Sequence, residues 1–347
     1  MDRNLTSGPR IYRLIVLLIL ISLFLSACIP QPGAAQPETP APEVPQIVAT
    51  PQPTPTATPE PVIDRLVLVM EQPQAQVEQL LGSFAQQNEM ELEVLTELSA
   101  PDIQPHWRVI VLLPAPGNIG ELTAAAPGVQ FVTSSDGELP ESANLSVIQV
   151  KPEHVAFAAG YIGAVITPDW RLAGLLPADT ELGERLADAF RNGVHFYCGL
   201  CRSLYPPFVR WPLVSMLPAG SDDAAWQTAV AELKPSVVHG MYLDGRIGSP
   251  QLVAWLAANN IILFGGETPP AENLPDWAVT IRPDLTGALA ELMPDVIAGN
   301  GGQVVNARLM LADINPDILS PGRQRLVEIM LDTLSAGYIE PFTVPLE

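Results

Sequence analysis

Residues 153–197 read EHVAFAAGYIGAVITPDWRLAGLLPADTELGERLADAFRNGVHFY. The first part, about Glu153–Thr167, is an apolar, small-residue helix that Pro168 breaks, because proline lacks the N–H that would continue the ladder. A short apolar strand, Trp170–Leu176, follows. A Pro-Ala-Asp-Thr loop then leads into an amphipathic helix that ends near Tyr197. Units of strand and helix lie on both sides of this stretch. It therefore reads as the point where the chain leaves one α/β lobe and starts a second, with a cleft between them.

Working toward the N-terminus, Leu66–Met70 (LVLVM) is a continuous apolar run, the signature of a strand buried on both faces. Further strands are expected at Leu92–Leu98, Trp107–Leu113, Val129–Thr133 and Leu145–Val150, with helices between them. Toward the C-terminus, strands are expected at Val209–Met216, Val237–Leu243, Ile261–Gly265, Ala278–Ile281 and Val304–Leu311. Helices are expected from Ser221 to about Lys234, at Pro250–Asn259, at Asp284–Ala298, and from Ser320 to about Ser335. The expected fold class is α/β, with two doubly wound parallel-sheet lobes. Lobe one takes 63–150 and 278–312; lobe two takes 151–277 and 313–347.

The start of the chain reads as an address. Arg3, Arg10 and Arg13 precede the apolar run Leu14–Leu25, which is too short to span ~30 Å of hydrocarbon comfortably. Leu25-Ser26-Ala27-Cys28 looks like a bacterial lipobox, with Cys28 as the lipidated residue. Residues 1–27 are then a lipoprotein signal peptide. Residues 28–62 are a Pro/Thr-rich tether whose prolines prevent a packed core. The expected location is the cell membrane, lipid-anchored and extracytoplasmic.

Charge narrows the partners. The chain has 347 residues, 17 Lys and Arg against 38 Asp and Glu, and a net charge of −21. A nucleic-acid partner is excluded on this ground, since phosphate binding needs a basic face. No catalytic assignment and no cofactor emerges: His106, His154, His195 and His239 lack HExxH spacing, and there is no GxSxG elbow or Walker loop. Cys198-Gly-Leu-Cys201 has three readings. Export favours a local disulfide. A redox dithiol would want its first cysteine at a helix N-terminus, not at the C-terminal end found here. A metal site with His195 lacks an evident fourth ligand.

Ligands of open α/β sheets collect beyond the carboxyl ends of the strands. That rule selects Glu71, Gln72, Asn118 and Asp136 from lobe one. From lobe two it selects Asp179, Tyr242, Asp244, Arg246 and Glu267, with Arg282 at the end of a hinge strand. Tyr242 offers an aromatic face and Arg246 a fork of donors, which suit a flat polar ligand. Asp136-Gly137 and Asp244-Gly245 are equally turn pairs.

Several stretches carry a resemblance: APGVQFVTSSD, EHVAFAAGYIGAVIT, RLADAFRNGV and INPDILSPGRQRLVEIMLDTLSAGYI. Together the chain resembles the basic membrane protein family of substrate-binding lipoproteins, within the type 1 periplasmic-binding-protein fold. The resemblance implies two lobes joined by three hinge strands, a small-molecule ligand (in several members a purine nucleoside) and an ABC permease as partner. It places Glu267 where the family has an acid for ribose hydroxyls, and Arg282 where it has a lysine facing the cleft. The family's first-strand loop is replaced here by MEQPQAQ. The expected function is a monomeric solute-binding lipoprotein that closes on its ligand by a hinge. The alternative is a non-transport sensor or surface interaction lipoprotein with a degenerate cleft.

Overall fold

In the computed structural model the described residues are 63–342, apart from 72–73, 180–181, 203–204 and 234–236. The expected signal peptide, Cys28, the tether and Gln72 lie outside them. Strand β1 (Arg65–Val69) shows why the fold forms. Leu66 and Leu68 join one buried cluster and Val67 and Val69 another, so the period of two sends alternate side chains to opposite faces. Both faces must therefore be covered. Helices α1 (Ala75–Gln87) and α7 (Leu285–Ile297) cover one face through Val77, Leu81, Leu289 and Leu292. Helix α2 (Ile119–Ala125) covers the other through Ile119 and Leu122. A fully buried Leu or Val contributes roughly 1.5–3 kcal/mol.

The first sheet adds β2 (Glu91–Leu95), β3 (Trp107–Leu112), β4 (Gln130–Ser135), β5 (Leu145–Gln149) and β11 (Val304–Asn306), in the order β11-β5-β4-β3-β1-β2. All its pairings are parallel. The second sheet contains β6 (Leu172–Pro177), β7 (Leu213–Leu217), β8 (Gly240–Leu243), β9 (Ile262–Gly265), β10 (Trp277–Pro283) and β12 (Leu309–Ala312). Its order is β12-β10-β9-β8-β6-β7, and only β12 runs antiparallel. Helices α3 (Pro152–Ile166), α4 (Gly183–Cys198) and α8 (Pro321–Ser335) cover one face of this sheet. Helices α5 (Asp223–Glu232) and α6 (Pro250–Ala257) cover the other. The two-lobed α/β architecture matches the sequence expectation.

The boundaries differ in one respect. Residues 278–312, expected in lobe one, are divided: β10 and β12 pair in the second sheet, and only α7 and β11 belong to the first. The expected single strand 304–311 is two strands, because the chain crosses between lobes at Ala307 and Arg308. Three crossovers thus join the lobes, at 150–151, at 283–284 and at 306–309. The third lies between the other two. Its Ala307 N–H donates to Gln149 O at 2.9 Å, and its Arg308 O accepts from Asp284 N–H at 2.7 Å. Two backbone bonds hold three single-chain crossings together as a hinge.

Within lobe two, α3 and α4 meet backbone to backbone. A Cβ on Gly160 would lie 2.0 Å from Phe190 O, and one on Gly193 would lie 2.0 Å from Phe157 O. Real Cβ atoms do not approach a carbonyl that closely, so each glycine is required by its partner helix. Gly160→Ala or Gly193→Ala should destabilise the protein by about 1–3 kcal/mol or more through overpacking. Gly117→Ala, which meets nothing within 4 Å, should change it by less than about 0.5 kcal/mol. Urea unfolding midpoints of the three variants measure the difference.

Candidate functional site: an interlobe cleft

The carboxyl ends of the strands in both sheets open on a cleft of about 870 Å³. Lobe one supplies Asp136, Gly137 and Glu138 after β4. The first crossover supplies Gln149, Val150 and Lys151. Lobe two supplies Glu153, Leu182, Arg185 and Arg246. Asp136 and Glu138 therefore line the cleft from lobe one, and Arg185, Arg246 and Glu153 line it from lobe two.

Arg246 is held by its neighbour Asp244. Asp244, 6% exposed, directly follows β8 and accepts from the Arg246 Nε at 2.8 Å, from its Nη2 at 3.1 Å and from its backbone N–H at 3.0 Å. A bidentate pair of this kind fixes the plane of the guanidinium. Its pKa is raised, first by the hydrogen bond to Asp244; the charge of Asp136 across the cleft also raises it. The outer edge of the fork remains partly exposed. The Gln149 side-chain amide donates to Ser135 O and Val150 O, each at 3.2 Å, tying the end of β4 to the hinge.

The structure brings together some of the expected residues and separates others. Asp136 and Arg246 line the cleft, and Asp244 holds Arg246. Asp179 is tied to a neighbouring loop, accepting from Ala219 N–H at 2.9 Å. Asn118 is exposed at the start of α2 and Glu71 is exposed just after β1; neither is among the cleft-lining residues. Glu267 borders a separate cavity of about 390 Å³ with Leu243, Ile247, Val253 and Trp277. Partial desolvation raises its carboxyl pKa, and the nearby Arg282 opposes that rise. Arg282 itself is half-buried on β10, opposite Met310 of β12.

Tyr242 requires a correction. It is fully buried, stacked on Phe190 and tilted against Phe264, with both ring centroids at 5.7 Å. It cannot offer an aromatic face to a cleft ligand. The alternation of β8 decides this: Met241 and Leu243 join the cluster under α5 and α6, so Tyr242 turns toward α3 and α4. Its hydroxyl has no hydrogen-bond partner among the described residues, and burial pushes its pKa well above the ordinary value. Conversely, Gln149, Lys151, Glu153 and Arg185 line the cleft without having been selected from the sequence. The signal for the first three was the Gln-Val-Lys-Pro-Glu run that ends a strand and starts a helix at the hinge; Arg185 has no such signal.

Two further groups lie near these elements. Cys198 and Cys201 form the disulfide that export favours. His154, in the first turn of α3, borders a hinge-side cavity of about 490 Å³ with Lys151, Arg308 and Glu340. Burial and then the Lys151 charge lower its pKa to about 4, with Glu340 opposing them.

No protein-family model matches the chain, and no curated protein matches it. Solved structures do. An ABC transporter system solute-binding protein from Conexibacter woesei matches with TM-score 0.58 and 13% identity, over 81% of this chain and 100% of that one. The chain has the type 1 periplasmic-binding-protein fold. A second ABC transporter system solute-binding protein, from Aeropyrum pernix, matches with TM-score 0.53 and 15% identity, over 82% of this chain and 94% of that one. A transcriptional activator of the comK gene from Bacillus halodurans matches with TM-score 0.55 and 11% identity, over 81% and 100%. At such identities the likeness shows the fold, which different functions share.

Two predictions follow from these environments. Tyr242→Phe removes a buried hydroxyl without a partner, so it should leave stability unchanged or raise it by about 1 kcal/mol in urea unfolding. The second concerns acid. The folded pKa of His154, about 4, lies below the ordinary histidine value of 6.5. Its contribution is thus fully present above about pH 6.5 and is lost as pH falls toward 4. Discounted for its half-buried position, the loss should be roughly 1–2 kcal/mol. The His154→Gln variant should show a correspondingly flatter profile of unfolding midpoint against pH.

Proposed function

We propose that this chain is an extracytoplasmic solute-binding protein, held at the membrane through Cys28, that closes its two lobes over a small polar solute for delivery to an ABC permease. The observation that carries the reading is the charge arrangement of the cleft. Asp136 and Glu138 line it from one lobe, and the two arginines Arg185 and Arg246, with Glu153 beside them, line it from the other, across a hinge of three crossings. A solute with donors and acceptors on opposite sides would contact both lobes at once only when they close. It would therefore stabilise the closed state by its differential contacts.

Among the described residues the lining of the cleft includes no aromatic ring, although the centroid of the Phe342 ring lies 4.3 Å from the guanidinium of the lining Arg185. This favours a non-aromatic polar solute, such as a polyol, sugar or zwitterion, over the purine nucleoside that the family resemblance suggests. A second reading, a sensor or interaction lipoprotein that has lost the transport solute, draws support from Arg246, whose fork already holds Asp244.

Thermal unfolding of the full chain with a panel of sugars, polyols, amino acids and nucleosides tests both. A solute at ~100 times its dissociation constant adds ~2.7 kcal/mol and should raise the melting temperature. Arg246→Ala should abolish the shift, and Lys151→Ala should weaken it. A shift that survives both substitutions would place the solute outside this cleft. No shift across the panel would favour the sensor reading.

A further inference from the structure

Segment 196–209 carries six of the thirteen exposed large apolar side chains among the described residues. Leu200 is 80% exposed, Phe208 75%, Tyr205 66% and Phe196 56%. Such a cluster in one short stretch calls for a partner, whereas isolated exposed apolar residues do not. These residues are not loosely held. Cys201 is buried in the lobe-two core and bonded to Cys198 on α4. The buried Arg171 donates through Nη2 to the carbonyls of Tyr205 and Pro206, each at 3.1 Å. Trp211, 1% exposed, closes the segment. The backbone is thus anchored inward at three places while the apolar side chains stand outward. Exposure this high marks protruding tips rather than the walls of a groove.

Charge identifies the partner. Residues 189–221 contain no Asp or Glu, in a chain that has 38. Arg202 and Arg210 flank the tips, both are exposed, and among the described residues neither forms an ion pair. The remaining arginine of the stretch, Arg191, is neutralised by Asp188 at 3.0 Å. A protein of net charge −21 would be repelled by an anionic surface everywhere except at a patch of this kind. Apolar and tyrosine tips flanked by arginines match the boundary between headgroups and acyl chains.

We propose that residues 196–202 and 205–210, pinned by the disulfide, form a membrane-contact surface that inserts Leu200 and Phe208 into an anionic phospholipid bilayer, with Arg202 and Arg210 against the headgroups. The contact does not depend on which solute occupies the cleft.

Hydrogen–deuterium exchange of the full chain, reconstituted in phosphatidylcholine vesicles with and without phosphatidylglycerol, tests this. Amides of 196–210 should exchange about tenfold more slowly with phosphatidylglycerol present. Each arginine near an anionic leaflet contributes roughly fivefold to occupancy. The protection should vanish in a Leu200→Glu/Phe208→Glu double variant and fall in Arg202→Glu/Arg210→Glu. These substitutions are at exposed positions, so exchange elsewhere in lobe two should remain as in the parent and report intact folding. Equal exchange in both vesicle types would overturn the proposal. So would protection that appears without vesicles and grows with protein concentration, which would assign the patch to a second copy of the chain.

Discussion

The close approach of α3 and α4 is the constraint on which the second lobe depends. At Gly160 and Gly193 each helix presses its backbone against a carbonyl of the other. The contact leaves no room for a methyl group, so it fixes both the separation of the helices and their axial register. Two consequences reach beyond the core. The N-terminal turn of α3 begins directly after the first hinge crossing, so the same packing positions Lys151 and Glu153 at the cleft. The C-terminal turn of α4 carries Cys198, so it also sets where the disulfide and the apolar segment emerge. Hinge, cleft wall and exposed patch share one rigid element.

The cleft works on a different balance. Acids of lobe one and charges of both signs on lobe two line it, and screening over about 8 Å limits their pull. The lobes are therefore not locked by their own electrostatics. Arg246 is oriented in advance by Asp244, which lowers the ordering cost of engaging a ligand. The three crossings limit motion to bending about two backbone hydrogen bonds, because neither sheet extends across them. Local charge placement at the strand ends and a bendable connection are enough for selective closure.

Much of this was legible in the sequence. The two-faced burial of Leu66–Val69 and the helix–strand–helix order of residues 153–197 follow from periodicity, and so does the two-lobed fold. Less legible were the features set by tertiary pairing. The run from Val304 to Leu311 reads as one strand, yet it crosses from one sheet to the other in its middle; nothing in an apolar run records which sheet will accept it. Tyr242 sits at a strand end where a ligand contact is reasonable. In a strand of four residues, however, only the packing of Met241 and Leu243 decides which way the tyrosine turns. Glu267 follows the expected strand but borders a side cavity beside α6. Lys151 and Gln149 escaped notice because the strand-end rule favours loops, and a hinge crossing is not one.

The central claim is that the lobes move toward each other when a solute enters the cleft. Spin labels at Asn118→Cys, beside the strand ends of lobe one, and Ala224→Cys, in the first turn of α5, would report the interlobe distance by pulsed electron paramagnetic resonance. Both positions are exposed. The measurement would be made on the full chain, with and without a protein-free small-molecule filtrate of the host cells. The account predicts a second, shorter distance population in the filtrate, lost in Arg246→Ala. A single distribution, unchanged in every filtrate, would contradict it.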